Sequence, residues 1–293
     1  MTRRINKALE LLSEGQPVYY THSGSLDYEN GKVMSQTWAD FIAIDFEHGA
    51  WDLAGLDQFM LGLVDGGPTT SGHRTPAVIA TVPTDGTNED VVRANAWMFK
   101  QVLARGVHGM LLCHAETQGA VRAFVESCRY PTAKIGLSQG LGDGRRGAGG
   151  QKSASDIWGI SPEEYIQKAD PWPLNDSGEL LLGIKIENNR ALLYSDVTSA
   201  VPGLAFAEWG PGDMSMALGY EIYPEEPHPE DMRTARNRVF ASCKNSGIFF
   251  LEGVSDSNVE EKIDEGIMIG SVGQGGEPVA SKGRVHTGRT MPV

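Results

Sequence analysis

Four side chains have types and settings that suit chemistry. Glu187 closes the apolar run LLLGIKIEN, and Asp213 follows the run LAFAEWG within EWGPGDMSMALG. Two strand-like runs that each deliver a carboxylate at the C-terminal end predict that the carboxylates meet. Paired carboxylates that leave positions open for water and substrate make a hard-cation site, suited to Mg²⁺ or Mn²⁺. The other two residues lie in DFEH, where Asp45 and His48 are three apart at the end of another run. At that spacing a carboxylate can orient an imidazole for proton transfer. Glu47 shares a face with Asp45 if the strand stays extended that far. His114 and Glu116 follow a further apolar run, GMLLC.

These residues need elements to position them. Eight short apolar runs recur: PVYYTHSG, FIAIDFEH, AVIATVP, GMLLCHAE, AKIGLS, ELLLGIKIEN, LAFAEWG and IFFLEG. Most are continuous rather than alternating, as in strands of a parallel sheet buried on both faces. Between them lie segments with helix grammar, such as TNEDVVRANAWMFKQVLARG, which has a capping Thr87 or Asn88 and a stop at Gly106. Strands alternating with helices read as an α/β fold of the (β/α)8 TIM barrel type, with a doubly wound open sheet as the competitor. In such a barrel the polar residues at the strand C-termini form the active site. That gathers Asp45, Glu47, His48, His114, Glu116, Glu187 and Asp213.

The expected organisation is one barrel domain over residues 1–293. Residues 138–175 break the rhythm and are expected to form an active-site loop insertion. GDGRRG spells a GxGxxG pattern there, but no βαβ unit frames it, so a dinucleotide site is rejected. Residues 277–293 are expected to form an irregular tail, a C-terminal extension free to reach a neighbouring subunit.

The chain has 293 residues, a formal net charge of −13 and 40% hydrophobic residues. Such acidity excludes a nucleic-acid footprint and suits an anionic membrane surface poorly. Cys113, Cys128 and Cys243 form neither a CxxC nor a Cys/His metal pattern, which points to a reducing, cytoplasmic setting. The N-terminal MTRRINKALELLSEGQP reads as an amphipathic helix rather than a signal peptide.

Taken together, FIAIDFEHGAWDLAGL, RRGAGG, GIKIEN and EWGPGDMSMALG resemble the HpcH/HpaI aldolase family of metal-dependent, class II pyruvate aldolases. The four motifs stand in the family's order. The resemblance implies a barrel of the phosphoenolpyruvate/pyruvate-type superfamily, with Mg²⁺, Mn²⁺ or Co²⁺ on Glu187 and Asp213. It implies His48, oriented by Asp45, in proton transfer. It also implies a pyruvate unit whose carboxylate meets the backbone N–H groups of Gly212 and Asp213, and a homo-oligomer, most simply a hexamer. The family usually carries glutamine where Lys185 stands, close to pyruvate. One departure stands out: the arginine that the family usually carries on its third strand is matched near Ile79. His114, Lys185 or Arg146 is left to supply that donor.

The resulting expectation is a carbon–carbon lyase that splits a 4-hydroxy-2-oxo acid into pyruvate and an aldehyde through an enolate, with a metal as Lewis acid. Its partners are a small 2-oxo acid and an aldehyde. The alternatives are oxaloacetate decarboxylation of the macrophomate-synthase kind, a citryl- or malyl-CoA-type lyase, and a binding protein that keeps the fold without turnover.

Overall fold

The apolar runs form parallel strands because helices cover one face and packed side chains cover the other. The computed structural model describes residues 3–273 and 275–293. In chain order the strands are β1 (Val18–His22), β2 (Phe41–Asp45), β3 (Ala77–Asp85), β4 (Gly109–Cys113), β5 (Pro171–Trp172), β6 (Leu180–Lys185), β7 (Phe206–Glu208), β8 (Phe249–Gly253) and β9 (Ile269–Ser271). Every pairing is parallel, β4 pairs directly with β6, and β9 returns to β1. Eight strands therefore close a (β/α)8 barrel, and two-residue β5 lies along β6.

Two cores result. One lies between strands and helices, around Ile42, Val78, Met110, Leu182 and Phe250. The other fills the lumen with Tyr20, Phe41, Ile79, Leu111, Leu181, Phe206 and Leu251. Each such side chain contributes roughly 1.5–3 kcal/mol on full burial. Phe206 packs on Gly183, where an added Cβ would stand 2.3 Å from its ring, so that strand position must be bare. The helix Lys7–Ser13, capped by the Asn6 side chain on Leu9 N–H, buries Ala8, Leu9, Leu11 and Leu12 in the lumen core. It closes the N-terminal end of the barrel and leaves the C-terminal end as the mouth.

Three expectations are corrected. Residues 133–138, read as a strand from AKIGLS, form a turn that leads into the short 3-10 helix Leu137–Gln139, with Gly136 in the left-handed region and Ile135 46% exposed. The eighth barrel strand is Ile269–Ser271, too short to give a pattern. Residues 138–175, expected to be an active-site loop, carry the helices Gln151–Trp158 and Pro162–Lys168. Trp158 donates to Gly106 O and stacks on His108, and Tyr165 donates to Leu103 O. Those partners precede β4, so the helical part anchors at the end of the barrel opposite the mouth. The tail, expected to be irregular, forms the helix Glu277–His286, and beyond it Arg289 reaches the buried Asp40.

Candidate active site

The mouth is built around Glu187, which follows β6 and is fully buried. Its Oε1 accepts the His114 N–H at 3.0 Å. To aim that N–H, His114 adopts a left-handed φ of 45°, a conformation side chains resist and functional sites often hold. Glu187 Oε2 lies 3.0 Å from Lys185 Nζ but makes no well-directed hydrogen bond. Over it passes the turn after β7, where Gly210 has φ 51° and an added Cβ would stand 2.4 Å from Oε2. Burial raises the Glu187 carboxyl above its ordinary range, with Lys185 and the His114 N–H opposing.

Lys185 points into the lumen two residues earlier. Its Nζ donates to Glu47 Oε2 at 2.7 Å. On the neighbouring strand its register partner is Glu208. Burial alone would lower the ammonium, but Glu187 and Glu208 raise it overall, so it stays charged. Burial, joined by Glu187, Glu47 and Asp213, pushes Glu208 up to about 7 against the pull of Lys185. Acids thus outnumber cations here, a balance that favours an added cation.

At the end of β2 the chain turns instead of running on. The N–H groups of Glu47 and His48 both donate to Asp45 Oδ1, at 2.9 and 3.1 Å. Glu47 therefore does not continue the Asp45 face, and it turns toward Lys185. His48 Nδ1 lies 2.9 Å from Asp45 Oδ2, so Asp45 holds the ring and leaves Nε2 to act. That hydrogen bond raises His48 above its ordinary value. Asp45 is held low by the His48 N–H and ring, against burial.

Asp45, Glu47, His48, Lys185 and Glu208 share a cavity of about 250 Å³ with the lumen side chains Tyr20, Ile79 and Leu111. A wider cleft of about 690 Å³ runs along Asn30–Trp38 and Thr69–Thr70, and among the described residues Glu277 is its one acidic side chain. The smaller cavity holds the convergent ionisable groups.

The remaining expected residues divide. His114 stands at the site, with Nδ1 3.6 Å from Glu187 Oε1 and 3.3 Å from Asn188 Nδ2. Asn188 also donates to Glu116. Gly212 and Asp213 lie in the first turn of the helix Pro211–Ala217. Among the described residues, the potential metal-ligand atoms that close around Glu187 come from Glu47 and His114, and a second group is Asp45, Glu47 and His48. Asp213 stands outside both groups, although its charge reaches Glu208. Arg146 is a correction: its guanidinium packs 4.3 Å from the Tyr130 ring and donates to Tyr165 Oη. Among the described residues, no hydrogen bond or ion pair joins it to Lys185, Glu187 or His48.

Residues 32–280 match the HpcH/HpaI aldolase/citrate lyase family. The chain belongs to this family. It is 25% identical over 269 residues, 91% of this chain and 90% of the relative, to the hydroxypyruvate/pyruvate aldolase of Roseobacter denitrificans. It is 30% identical over 165 residues to the 2-keto-3-deoxy-L-rhamnonate aldolase of Klebsiella pneumoniae, covering 55% of this chain and 54% of that one. The crystal structure of a family member from Burkholderia cenocepacia superposes with a TM-score of 0.71 at 19% identity, over 97% of this chain and 98% of that one. The HpcH/HpaI family comprises metal-dependent carbon–carbon lyases, and the donors at this mouth fit a hard cation. Buried Glu187 keeps one carboxylate oxygen without a hydrogen bond, and the surrounding groups are oxygen-rich.

Sequence reading left the role of Glu47 open and missed Glu208. A two-residue count would have found Glu208, because Phe206 already faces the lumen and alternate strand residues share a face.

Proposed function

We propose that this family member cleaves a 4-hydroxy-2-oxo acid reversibly to pyruvate and an aldehyde. The observation that carries the reading is the pairing, across one mouth, of an under-bonded buried carboxylate with an imidazole fixed by a second carboxylate. Glu187 and Asp213 would hold Mg²⁺, Mn²⁺ or Co²⁺, with Glu47 and His114 within reach of Glu187. When bound, that ion supplies Lewis-acid polarisation of a carbonyl.

The chain's own groups do the rest. The N–H groups of Gly212 and Asp213, in the first turn of their helix, meet the substrate carboxylate, since first-turn N–H groups lack intrahelical partners. His48 Nε2 takes the proton of the C4 hydroxyl as the C3–C4 bond breaks. The aldehyde leaves, and the electron pair goes to the pyruvate enolate. His48 then returns a proton to C3. Lys185 faces the cavity and is the ammonium best set to donate to the enolate oxygen; His114 points instead toward Asn188 and Glu187.

The cavity suits a small acid, and three buried free thiols agree with a reducing, cytoplasmic setting. Among the described residues no helix is long and apolar enough to cross a membrane. A homo-oligomer, most simply a hexamer, follows from the family resemblance, and light scattering should return a multiple of 31.6 kDa. The reading is tested by pyruvate release from 4-hydroxy-2-oxo acids, with oxaloacetate as a second substrate. Release that depends on the aldol substrate and stops with EDTA supports aldolase action. Turnover confined to oxaloacetate would transfer the site to decarboxylation.

A further inference from the structure

Lys185 lies where an added cation would have to bind. Its Nζ lies 3.0 Å from Glu187 Oε2, the same oxygen that keeps no well-directed hydrogen bond. Two positive charges cannot share one carboxylate oxygen cheaply inside a low-dielectric barrel. The ammonium also has a second acceptor, Glu47 Oε2 at 2.7 Å, and Glu208 faces it from the next strand. The groups facing it are Glu47 from the turn after β2, Glu187 beyond β6 and Glu208 from β7, with Cys113 on β4 also near. Yielding Glu187 would therefore leave Lys185 paired.

We propose that Lys185 is a built-in competitor for the divalent cation at Glu187. In the metal-free protein its ammonium bridges Glu47 and Glu187 and holds two buried acids together. When the ion arrives, Lys185 gives up Glu187, keeps Glu47 and pivots toward the cavity, where substrate sits. Lys185 does not replace the ion. One ammonium faces Glu47, Glu187 and Glu208, with Asp213 close by, so the acids remain in excess with Lys185 present. Its effect is to weaken metal binding and to keep the metal-free barrel intact. It acts as a positioning residue for the ion, whatever it donates to substrate afterwards.

This inference rests on the metal reading above, and the test separates the two. Mn²⁺ binding is measured by calorimetry on the full chain for wild type, Lys185→Met, Lys185→Arg and Glu187→Gln, together with melting temperatures in EDTA and in Mn²⁺. Lys185→Met is expected to bind Mn²⁺ roughly 10- to 100-fold more tightly, as expected when one close charge is removed. It should melt lower than wild type in EDTA and gain more on adding Mn²⁺. Lys185→Arg keeps the charge and should bind within a few-fold of wild type. If Lys185→Met does not fold, Lys185→Gln, whose amide suits the polar mouth, is read in the same way. Neutral variants that bind Mn²⁺ no more tightly than wild type, while Glu187→Gln abolishes binding, overturn the competitor and leave the metal site standing. Absence of Mn²⁺ binding in wild type and in the neutral Lys185 variants alike overturns both.

Discussion

The barrel buries a charge cluster at each end, and the two are built on opposite balances. At the closed end Asp40 is fully buried and surrounded by cations. Arg289 donates to both of its oxygens at 2.6 and 2.8 Å, Tyr19 N–H donates at 3.0 Å, and Lys7 and Arg284 lie at 3.5 and 3.4 Å. Both carboxylate oxygens of Asp40 are used. At the mouth the signs reverse: one ammonium faces several acids, and Glu187 keeps an oxygen without a hydrogen bond. A carboxylate met on both oxygens fixes structure, tying the N-terminal helix and the C-terminal tail to the barrel floor. An unsaturated one keeps capacity for a ligand. Buried charge alone would not separate the two ends; whether both oxygens of the buried carboxylate are met does.

The difference can be broken at either end. Asp40→Ala leaves Lys7, Arg284 and Arg289 buried without their acid, which should cost about 3–5 kcal/mol in urea unfolding. The fraction that stays folded should keep its specific activity. Glu187→Gln should do the reverse, abolishing turnover while unfolding in EDTA moves by less than about 1 kcal/mol, since it removes an acid already in excess. If both variants lose stability equally, the contrast between the ends is wrong.

His48→Ala should slow exchange of the pyruvate methyl protons by about 10²-fold or more, followed by NMR in D₂O. Mn²⁺ affinity should change little. Exchange at the wild-type rate would move the base elsewhere, with His114 next.

Glu208 makes the stability of the mouth depend on pH. Its folded value of about 7 lies above its ordinary 4.5, so it contributes stability that is full below 4.5 and lost as pH rises through 7. In EDTA, Glu208→Gln should lack that loss and be the more stable protein at pH 8. A constant difference between the two from pH 4 to 8 would contradict this. The smallest effect is on the pH profile. Asp45 holds His48 above its ordinary value, so Asp45→Asn should shift the acid limb of kcat/KM to lower pH as well as slowing turnover.

Much of this fold is written in its apolar runs. Seven of the barrel strands follow continuous stretches such as FIAID and LLLGIK, because burial on both faces demands them. AKIGLS misleads because its apolar residues are few and flank Gly136, a turn position. Ile269–Ser271 escapes because three residues show no period. The tail helix hides behind Pro278 and Gly283; the glycine is needed because the Tyr19 ring packs where its Cβ would be. At the site, Asp45, His48 and Glu187 are legible from strand-end position. Arg146 is not, since only three dimensions show its guanidinium stacked on Tyr130 behind the strands. The Lys185–Glu47 pair joins residues 138 apart and has no local signal.

If a divalent cation at Glu187 makes the mouth catalytic, proton exchange at the methyl group of pyruvate depends on it and can be followed without the aldehyde. The exchange is followed by NMR in D₂O with wild-type protein stripped by EDTA, then restored with Mg²⁺, Mn²⁺ or Co²⁺. Exchange should disappear on stripping, return with metal and never return in Glu187→Gln. Full exchange in the stripped wild-type protein would contradict that dependence.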